Sequence, residues 1–177
     1  AIESIGAGGG SIARLNLGAV EVGPDSAGAD PGPACYGQGG TAPTVTDANL
    51  MLGYLEPDQQ LGESIRLDPD EARRALEPLA GEAGVAVTEA AYGIVRVANA
   101  TMVRALNRVT VERGIDGRSC DLLAFGGAGP MHAAALAQEL SIPRVLIPAR
   151  PGITNAIGCI TADLRHDYVN TLNTPLS

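Results

Sequence analysis

The stretch "CDLLAFGGAGPMHAAALAQEL", residues 120–140, is the part of this sequence that indicates its fold class most clearly. The apolar run 121–125 predicts a buried strand, a glycine cluster follows it, and the alanine-rich segment 130–140 predicts a helix. A second apolar run, "RVLIP" at 144–148, predicts another buried strand. Strand, helix and strand in this order predict parallel pairing with a right-handed crossover, and therefore an α/β fold.

The rest of the chain predicts further elements around this unit. These are strands at 11–16 and 19–23, a short helix in 47–55, a surface helix from Asp68 to about Leu79, a long helix at 88–113, a helix in 151–164 and an extended tail or edge strand at 165–172. The polar stretch 56–87 predicts a peripheral insertion. Residues 23–46 are too rich in Pro and Gly for regular structure, and a loop of that length is usually functional.

Composition excludes several classes of protein. A net charge of −8 argues against non-specific nucleic-acid binding. Aromatic residues supply only 3% of the chain, so the core must consist of Ala, Val, Ile and Leu. No stretch reaches the roughly 18 apolar residues of a membrane span.

The spacing of the cysteines and the first residues bear on the redox environment of the protein and on the extent of the chain. Cys35, Cys120 and Cys159 are far apart, which supports neither a disulfide framework nor a zinc site, and we expect each to be buried. A reducing cytoplasm is the simplest location for such cysteines. The first residues show neither the basic nor the apolar region of a signal peptide. The chain has no initiating Met, so residues 1–177 are expected to be part of a longer chain.

The glycine turn "FGGAGPMH" at 125–132 fits neither familiar phosphate motif. Counting a GxGxxG pattern from Gly127 puts His132 at the third glycine, and a P-loop needs a lysine that this chain lacks. Gly126, Gly127 and Gly129 would still let a ligand approach the backbone closely, with the N–H groups of Met131 and His132 directed at it. The alternative is a turn that serves only tight packing of strand on helix.

A second glycine run, "GAGGGS" at 6–11, has two interpretations as well. Gly8, Gly9 and Gly10 can form a nest of N–H groups for phosphate oxygens. They can equally form a bend before a strand.

Two side chains are candidates for catalysis. Asp47 in "PTVTDAN" could hold a metal-bound water or act as a general base, but Thr46 or Asp47 could instead cap the helix that follows. His132 follows the glycine turn, where the helix dipole keeps an imidazole neutral and suited to a ligand hydrogen bond. A half-exposed helical residue without a role is the alternative for His132.

Arg96, Arg104 and Arg108 share one side of the long helix, where a solvated face is favoured over an anion site.

Two long segments carry a family resemblance. Residues 4–55, "SIGAGGGSIARLNLGAVEVGP…LMLGYL", and residues 125–168, "FGGAGPMHAAALAQEL…RHDY", resemble the hydantoinase A/oxoprolinase family. That family includes ATP-dependent N-methylhydantoinase A subunits, 5-oxoprolinase, and subunits of acetone and acetophenone carboxylases. The resemblance is weakest over 56–87.

The resemblance implies a fold and a chemistry. It implies a ribonuclease H-like lobe of the actin/Hsp70/sugar-kinase (ASKHA) superfamily, with a mixed sheet, flanking helices and ATP between two lobes. Gly126, Gly127 and Gly129 would contact adenosine, and Gly8–Gly10 would lie on the phosphate side. Asp25, Asp30 and Cys35 would line the substrate side. The ligands of the γ-phosphate and Mg²⁺ would lie outside this chain, so the isolated chain is expected not to bind ATP tightly.

The implied activity is phosphorylation and opening of a small cyclic amide of the hydantoin or 5-oxoproline type, together with a hydantoinase B-type partner subunit or domain. Two alternatives stay open: an ATP-dependent ketone carboxylase subunit, and an actin- or Hsp70-like module that uses ATP as a switch. A glycine-rich domain serving only as an interface is a third.

Overall fold

A computed structural model describes residues 3–57, 60–61, 65–163 and 168. In chain order the elements are β1 (Ser11–Asn16), β2 (Ala19–Ser26), α1 (Val45–Met51), β3 (Gln60–Leu61), β4 (Ile65–Arg66), α2 (Pro69–Ala83), α3 (Val87–Val111), β5 (Asp121–Leu123), α4 (Gly129–Glu139), β6 (Arg144–Leu146) and α5 (Thr154–Thr161). Short 3-10 turns lie at Ala34–Tyr36, Gly117–Ser119 and Pro151–Ile153.

The N-terminal strands form an antiparallel hairpin. Leu17 and Gly18 connect them with φ of 50° and 81°, the positive values of a tight turn that matches strand twist. Register runs from Asn16 opposite Ala19 to Ser11 opposite Ser26. β2 is therefore three residues longer than the predicted 19–23.

The main core lies where α1, α2 and α3 pack together under the hairpin. Its buried members are small aliphatic residues, as the composition predicted: Ala13, Val45, Ala48, Leu76, Leu79, Ala80, Ala90, Ala91, Ile94, Val95 and Ala98. α3 spans Val87–Val111, close to the predicted 88–113.

α2 begins where the sequence predicted. The Asp68 side chain accepts hydrogen bonds from the N–H groups of Asp70 and Glu71 at 2.8 and 3.2 Å, the N-cap arrangement. The helix continues to Ala83, beyond the predicted end near Leu79. Because α2 supplies buried residues to the core, the segment 56–87 is not peripheral in its packing; its status as an insertion stays a prediction.

The strand–helix–strand unit is present. β5 and β6 pair in parallel, with α4 between them in the chain. Each strand has only three residues, and the prediction that they are buried is wrong: Leu123 is 51% exposed and Leu146 is 48% exposed.

The α/β class is confirmed, but the sheet arrangement differs from the expected mixed sheet. Within the described residues the strands form three separate two-stranded sheets, β1–β2, β3–β4 and β5–β6. α5 is shorter than the predicted 151–164, and the predicted tail at 165–172 falls almost entirely outside the described residues. None of the helices in the described part is long and apolar enough to cross a membrane.

Candidate functional site

The two glycine segments meet in space. Gly9 accepts hydrogen bonds at its carbonyl oxygen from the backbone N–H and the hydroxyl of Thr46, at 2.8 and 2.9 Å. A Cβ built on Gly9 would lie 3.7 Å from the Cβ of Ala128. The run at 6–11, the start of α1 and the turn before α4 therefore adjoin one another.

The turn at Gly8–Gly10 is held by Ser11. The Ser11 hydroxyl accepts from the Gly8 N–H at 2.9 Å, and the Ser11 N–H donates to the Gly8 carbonyl at 3.1 Å. At two of the three positions a side chain would force a neighbour to shift, because a Cβ would lie 2.7 Å from Thr46 Oγ1 at Gly9 and 2.8 Å from Ser26 Oγ at Gly10. A Cβ at Gly8 meets no described atom within 4 Å.

The turn at Gly126–Gly129 is open on one side. Gly126 has φ of 88°, which favours glycine, and its N–H donates to the Pro151 carbonyl at 2.8 Å. At Gly127 and Gly129 a Cβ would meet no described atom within 4 Å. Packing among the described residues therefore does not explain these two glycines, whereas close approach of a ligand would.

Two predicted donors are already used, the Gly8 N–H, which donates to the Ser11 hydroxyl at 2.9 Å, and the Met131 N–H. The Met131 N–H donates to the Ala128 carbonyl at 3.1 Å, so the expectation that it points freely at a ligand is wrong. The bond arises because α4 begins at Gly129 and its first turn closes on Ala128.

An apolar cavity of about 450 Å³ lies beside the turn. α3 contributes Met102 and Leu106 to its wall, β5 and its extension contribute Leu122 and Phe125, and Gly129 reaches it from α4. Apolar walls next to exposed backbone suit a flat ring with polar edges. The sequence did not reveal this cavity, because its walls come from segments far apart in the chain.

Asp47 is fully buried and its carboxylate is surrounded by donors. Oδ1 accepts from the Cys35 N–H at 2.8 Å, while Oδ2 accepts from the N–H and hydroxyl of Thr44 at 2.8 and 2.7 Å and from the Ala34 N–H at 3.4 Å. Thr44, rather than the predicted Thr46 or Asp47, is the N-cap, with Asp47 completing a capping box. These contacts favour the structural interpretation of Asp47 over a metal or general-base role.

His132 is 1% exposed, so the half-exposed alternative is wrong. Its Nδ1 lies 2.7 Å from Oδ1 of Asn99 on α3, and its Nε2 has no hydrogen-bond partner among the described residues. With an amide oxygen as acceptor, Nδ1 carries the proton. Burial lowers the pKa of His132, which gives the neutral imidazole that was expected from the helix dipole.

The remaining candidate residues have structural partners of their own. Arg108 lies 3.0 Å from Glu3, and Arg14 lies 2.7 Å from Asp25, so both carboxylates take part in ion pairs. Cys35 is buried, as predicted for all three cysteines, and burial together with Asp47 raises the pKa of its thiol.

The prediction of burial is wrong for the other two cysteines, because Cys120 is half-buried and Cys159 is exposed. The described residues contain no group of three or more His, Cys, Asp or Glu side chains able to hold a metal ion. Open space is therefore left beside the backbone at Gly8, Gly127 and Gly129, where a Cβ would meet no described atom within 4 Å, while the described side chains do not form a Mg²⁺ site by themselves.

Comparison with known proteins agrees with this architecture. The profile of the hydantoinase/oxoprolinase family matches residues 1–168. The chain is 49% identical over 173 residues to the caprolactamase subunit alpha of Pseudomonas jessenii, covering 97% of the chain and 25% of that relative. It is 41% identical over 183 residues to 5-oxoprolinase 1 of Arabidopsis thaliana, covering 94% of the chain and 14% of that relative.

Solved structures show the same likeness. The crystal structure of ATP-dependent caprolactamase from Pseudomonas jessenii matches with a TM-score of 0.84 at 49% identity, over 93% of this chain and 24% of that one. Nucleotide-free acetone carboxylase matches with a TM-score of 0.81 at 32% identity, over 89% and 22%. The chain thus spans a quarter or less of the length of these relatives. Because the family profile covers nearly all of its residues, the chain belongs to the hydantoinase/oxoprolinase family.

Proposed function

We propose that this chain forms one wall of the ATP site in an ATP-dependent enzyme that phosphorylates and so opens a small cyclic amide. The observation that carries this proposal is the meeting of the two glycine segments, with Gly9 beside Thr46 and Ala128. A nucleotide needs closely approachable backbone at both its sugar and its phosphate ends. These two turns offer such backbone next to each other.

Each turn has its own part in the proposal. Gly126, Gly127 and Gly129 border adenosine, and the adjoining apolar cavity would accept the adenine ring. The turn Gly8–Gly10 faces the phosphates. The ASKHA lobe architecture is part of the same proposal, supported by the two structural matches to enzymes described as ATP-dependent.

The chemistry would be transfer of the γ-phosphoryl group to the amide oxygen of a lactam or imide. Phosphorylation would make the amide carbon electrophilic, so that water can add to it. The C–N bond of the adduct would then break with the ring nitrogen leaving as the amine, and a second water would release phosphate from the resulting acyl phosphate to give the carboxylate. Phosphoryl transfer depends mainly on positioning and on charge neutralisation by Mg²⁺. The ligands of Mg²⁺ and the γ-phosphate would come from parts of the full-length protein outside this chain.

His132 and Asp47 would hold the backbone next to the two glycine turns in place. Asn99 fixes the ring of His132 on the first turn of α4, directly after the glycine turn. Asp47 fixes the start of α1, next to Thr46, which holds Gly9.

The structural match to acetone carboxylase favours a second candidate, a ketone carboxylase subunit that phosphorylates an enol oxygen. In either case we propose a partner subunit of the hydantoinase B type, in line with a relative named as a subunit alpha. A cytoplasmic location, where ATP is abundant and thiols stay reduced, belongs to the same proposal.

Gly127→Arg in the full-length protein tests the ATP site. The Arg side chain would meet no described atom near its Cβ, so folding should be retained while nucleotide is blocked. Gly81→Arg, at an exposed position of α2 with the same open space, is the matched control. We expect ATP affinity, measured by calorimetry, to fall at least about tenfold in the first variant only. Unchanged ATP binding and ATPase activity in Gly127→Arg would exclude the site and favour a domain that serves only as an interface.

A substrate panel tests the reaction. The full-length protein and its partner subunit would be incubated with ATP and hydantoins, 5-oxoproline, caprolactam or aryl ketones. ADP release stimulated by cyclic amides supports the first candidate, and stimulation by ketones with bicarbonate supports the second. Hydrolysis indifferent to every compound would favour the ATP switch. The 177-residue chain alone should show no micromolar affinity for ATP.

A further inference from the structure

A trench runs along the outer side of α3, where α4 approaches it. Its volume is about 670 Å³, and its walls are formed by Tyr54, Tyr92, Val95, Arg96, Asn99, Ala100, Val103, Arg104, Ala135, Gln138 and Glu139. The α3 residues run from Tyr92 to Arg104, a separation of twelve positions and therefore about 18 Å of helix. That length suits a polypeptide segment better than a compact small molecule.

Two arginines in the trench form no ion pair with a residue that the structure describes. Arg96 and Arg104 are eight residues apart on α3, about 12 Å along the helix axis. Neither forms an ion pair with any described residue, whereas Arg108, one turn further on, pairs with Glu3. Arg96 stacks on Tyr92 at 5.8 Å, and Arg104 donates to the Thr101 hydroxyl at 2.9 Å, so their described partners are uncharged.

Exposed aromatic rings border the same trench. Tyr54 is 58% exposed and Tyr92 is 53% exposed. Tyr and Arg, together with Trp, are enriched at the energetic centres of protein interfaces. Between the two arginines the wall is formed by the small apolar residues Ala100 and Val103, with Ala135 opposite on α4.

We propose that this trench docks an acidic helix of the partner subunit, with two carboxylates seven or eight residues apart that reach Arg96 and Arg104. An amphipathic helix lying in a groove presents side chains at such spacings along one face. An aliphatic side chain between the carboxylates would fill the space beside Val103. Glu139, on the α4 wall, faces a polar or basic residue of that helix. The inference rests on the partner subunit of the proposed function and assigns it a surface.

Charge reversal tests the surface. We would make Arg96→Glu/Arg104→Glu in the full-length protein and measure its complex with the B-type partner subunit by sedimentation velocity and calorimetry. Two repulsive contacts should weaken the complex at least about tenfold, with an affinity less sensitive to salt than that of the wild type. Arg73→Glu, an exposed arginine on α2 outside the trench, is the control and should bind normally.

Footprinting separates the possible occupants. Oxidative labelling of Tyr54 and Tyr92 should be rapid in the full-length protein alone and slow once the partner subunit is added. If both rings are already protected without the partner, another part of the same protein fills the trench and the inference fails. Normal affinity of the double variant also overturns it, while the ATP site stays testable through Gly127→Arg. A wild-type protein that forms no complex with that subunit refutes the docking surface as well.

Discussion

Asn99 on α3 holds His132 on α4 by a hydrogen bond of 2.7 Å between Oδ1 and Nδ1. The imidazole is almost fully buried, and this is its only hydrogen bond within the described part of the chain. Since His132 belongs to the first turn of α4, the bond fixes the helix that follows the glycine turn. Asn99 itself also lines the trench, so the two regions share one side chain.

Removing the acceptor should destabilise the protein. In Asn99→Leu both ring nitrogens of His132 would be buried without a partner, and an unsatisfied buried group costs about 1–3 kcal/mol. We expect the free energy of unfolding, measured by urea denaturation, to fall by that amount. Asn107→Leu, an exposed position on the same helix, is the control and should change it by less than about 0.5 kcal/mol. Equal stability of the two variants would show that the Asn99–His132 bond contributes nothing.

The buried imidazole also predicts a pH dependence of stability. Burial holds the pKa of His132 in the folded protein below its ordinary value of 6.5. The unfolded chain therefore binds a proton that the folded chain does not, and stability falls as pH drops below about 6.5. His132→Asn cannot titrate, so its free energy of unfolding should fall less steeply between pH 7 and pH 5. Parallel curves for the two proteins would assign the acid sensitivity to other groups.

Local patterns predicted elements well and contacts poorly. Asp68 before Pro69 marked the start of α2 correctly, because capping involves only neighbouring residues. The start of α1 was misjudged by two residues, although Thr44 followed by Asp47 at the third position is the capping-box spacing that could have identified it. Both signals act within one helical turn.

The contacts that form the site join distant parts of the chain. Gly9 and Ala128 are 119 positions apart, and Asn99 and His132 are 33 apart, so no local pattern relates them. The apolar runs at 121–125 and 144–148 correctly predicted parallel strands but not their exposure. The hydrophobicity of a strand indicates that its burial would be favourable. Whether other elements cover the strand depends on tertiary structure, which the local sequence does not specify.

Removing the charge of Asp47 distinguishes a structural role of this residue from a catalytic one. Asp47→Asn replaces one acceptor oxygen by an NH₂ group, which would face donors such as the Thr44 N–H. Loss of charge-assisted bonds should lower the free energy of unfolding by about 1.5–3 kcal/mol. Asp70→Asn, exposed on the first turn of α2, should have a much smaller effect.

Activity measurements complete that comparison. If Asp47 is structural, the folded fraction of the Asp47→Asn full-length protein should keep its ATPase rate under conditions where it remains folded. A variant of normal stability that has lost activity would instead restore the general-base interpretation.

Substitution by alanine should destabilise the protein at Gly9 but not at Gly8. In Gly9→Ala the new Cβ would lie 2.7 Å from Thr46 Oγ1, whose hydroxyl is itself bonded to the Gly9 carbonyl. The backbone or Thr46 must therefore shift, and overpacking of this kind costs about 1–3 kcal/mol. Gly8→Ala meets no described atom within 4 Å and should leave thermal unfolding nearly unchanged. Because the shift would also move Gly9 relative to Ala128, ATP affinity of the full-length protein should fall in Gly9→Ala. Retained stability and ATP affinity in that variant would show that the two glycine segments do not depend on this contact.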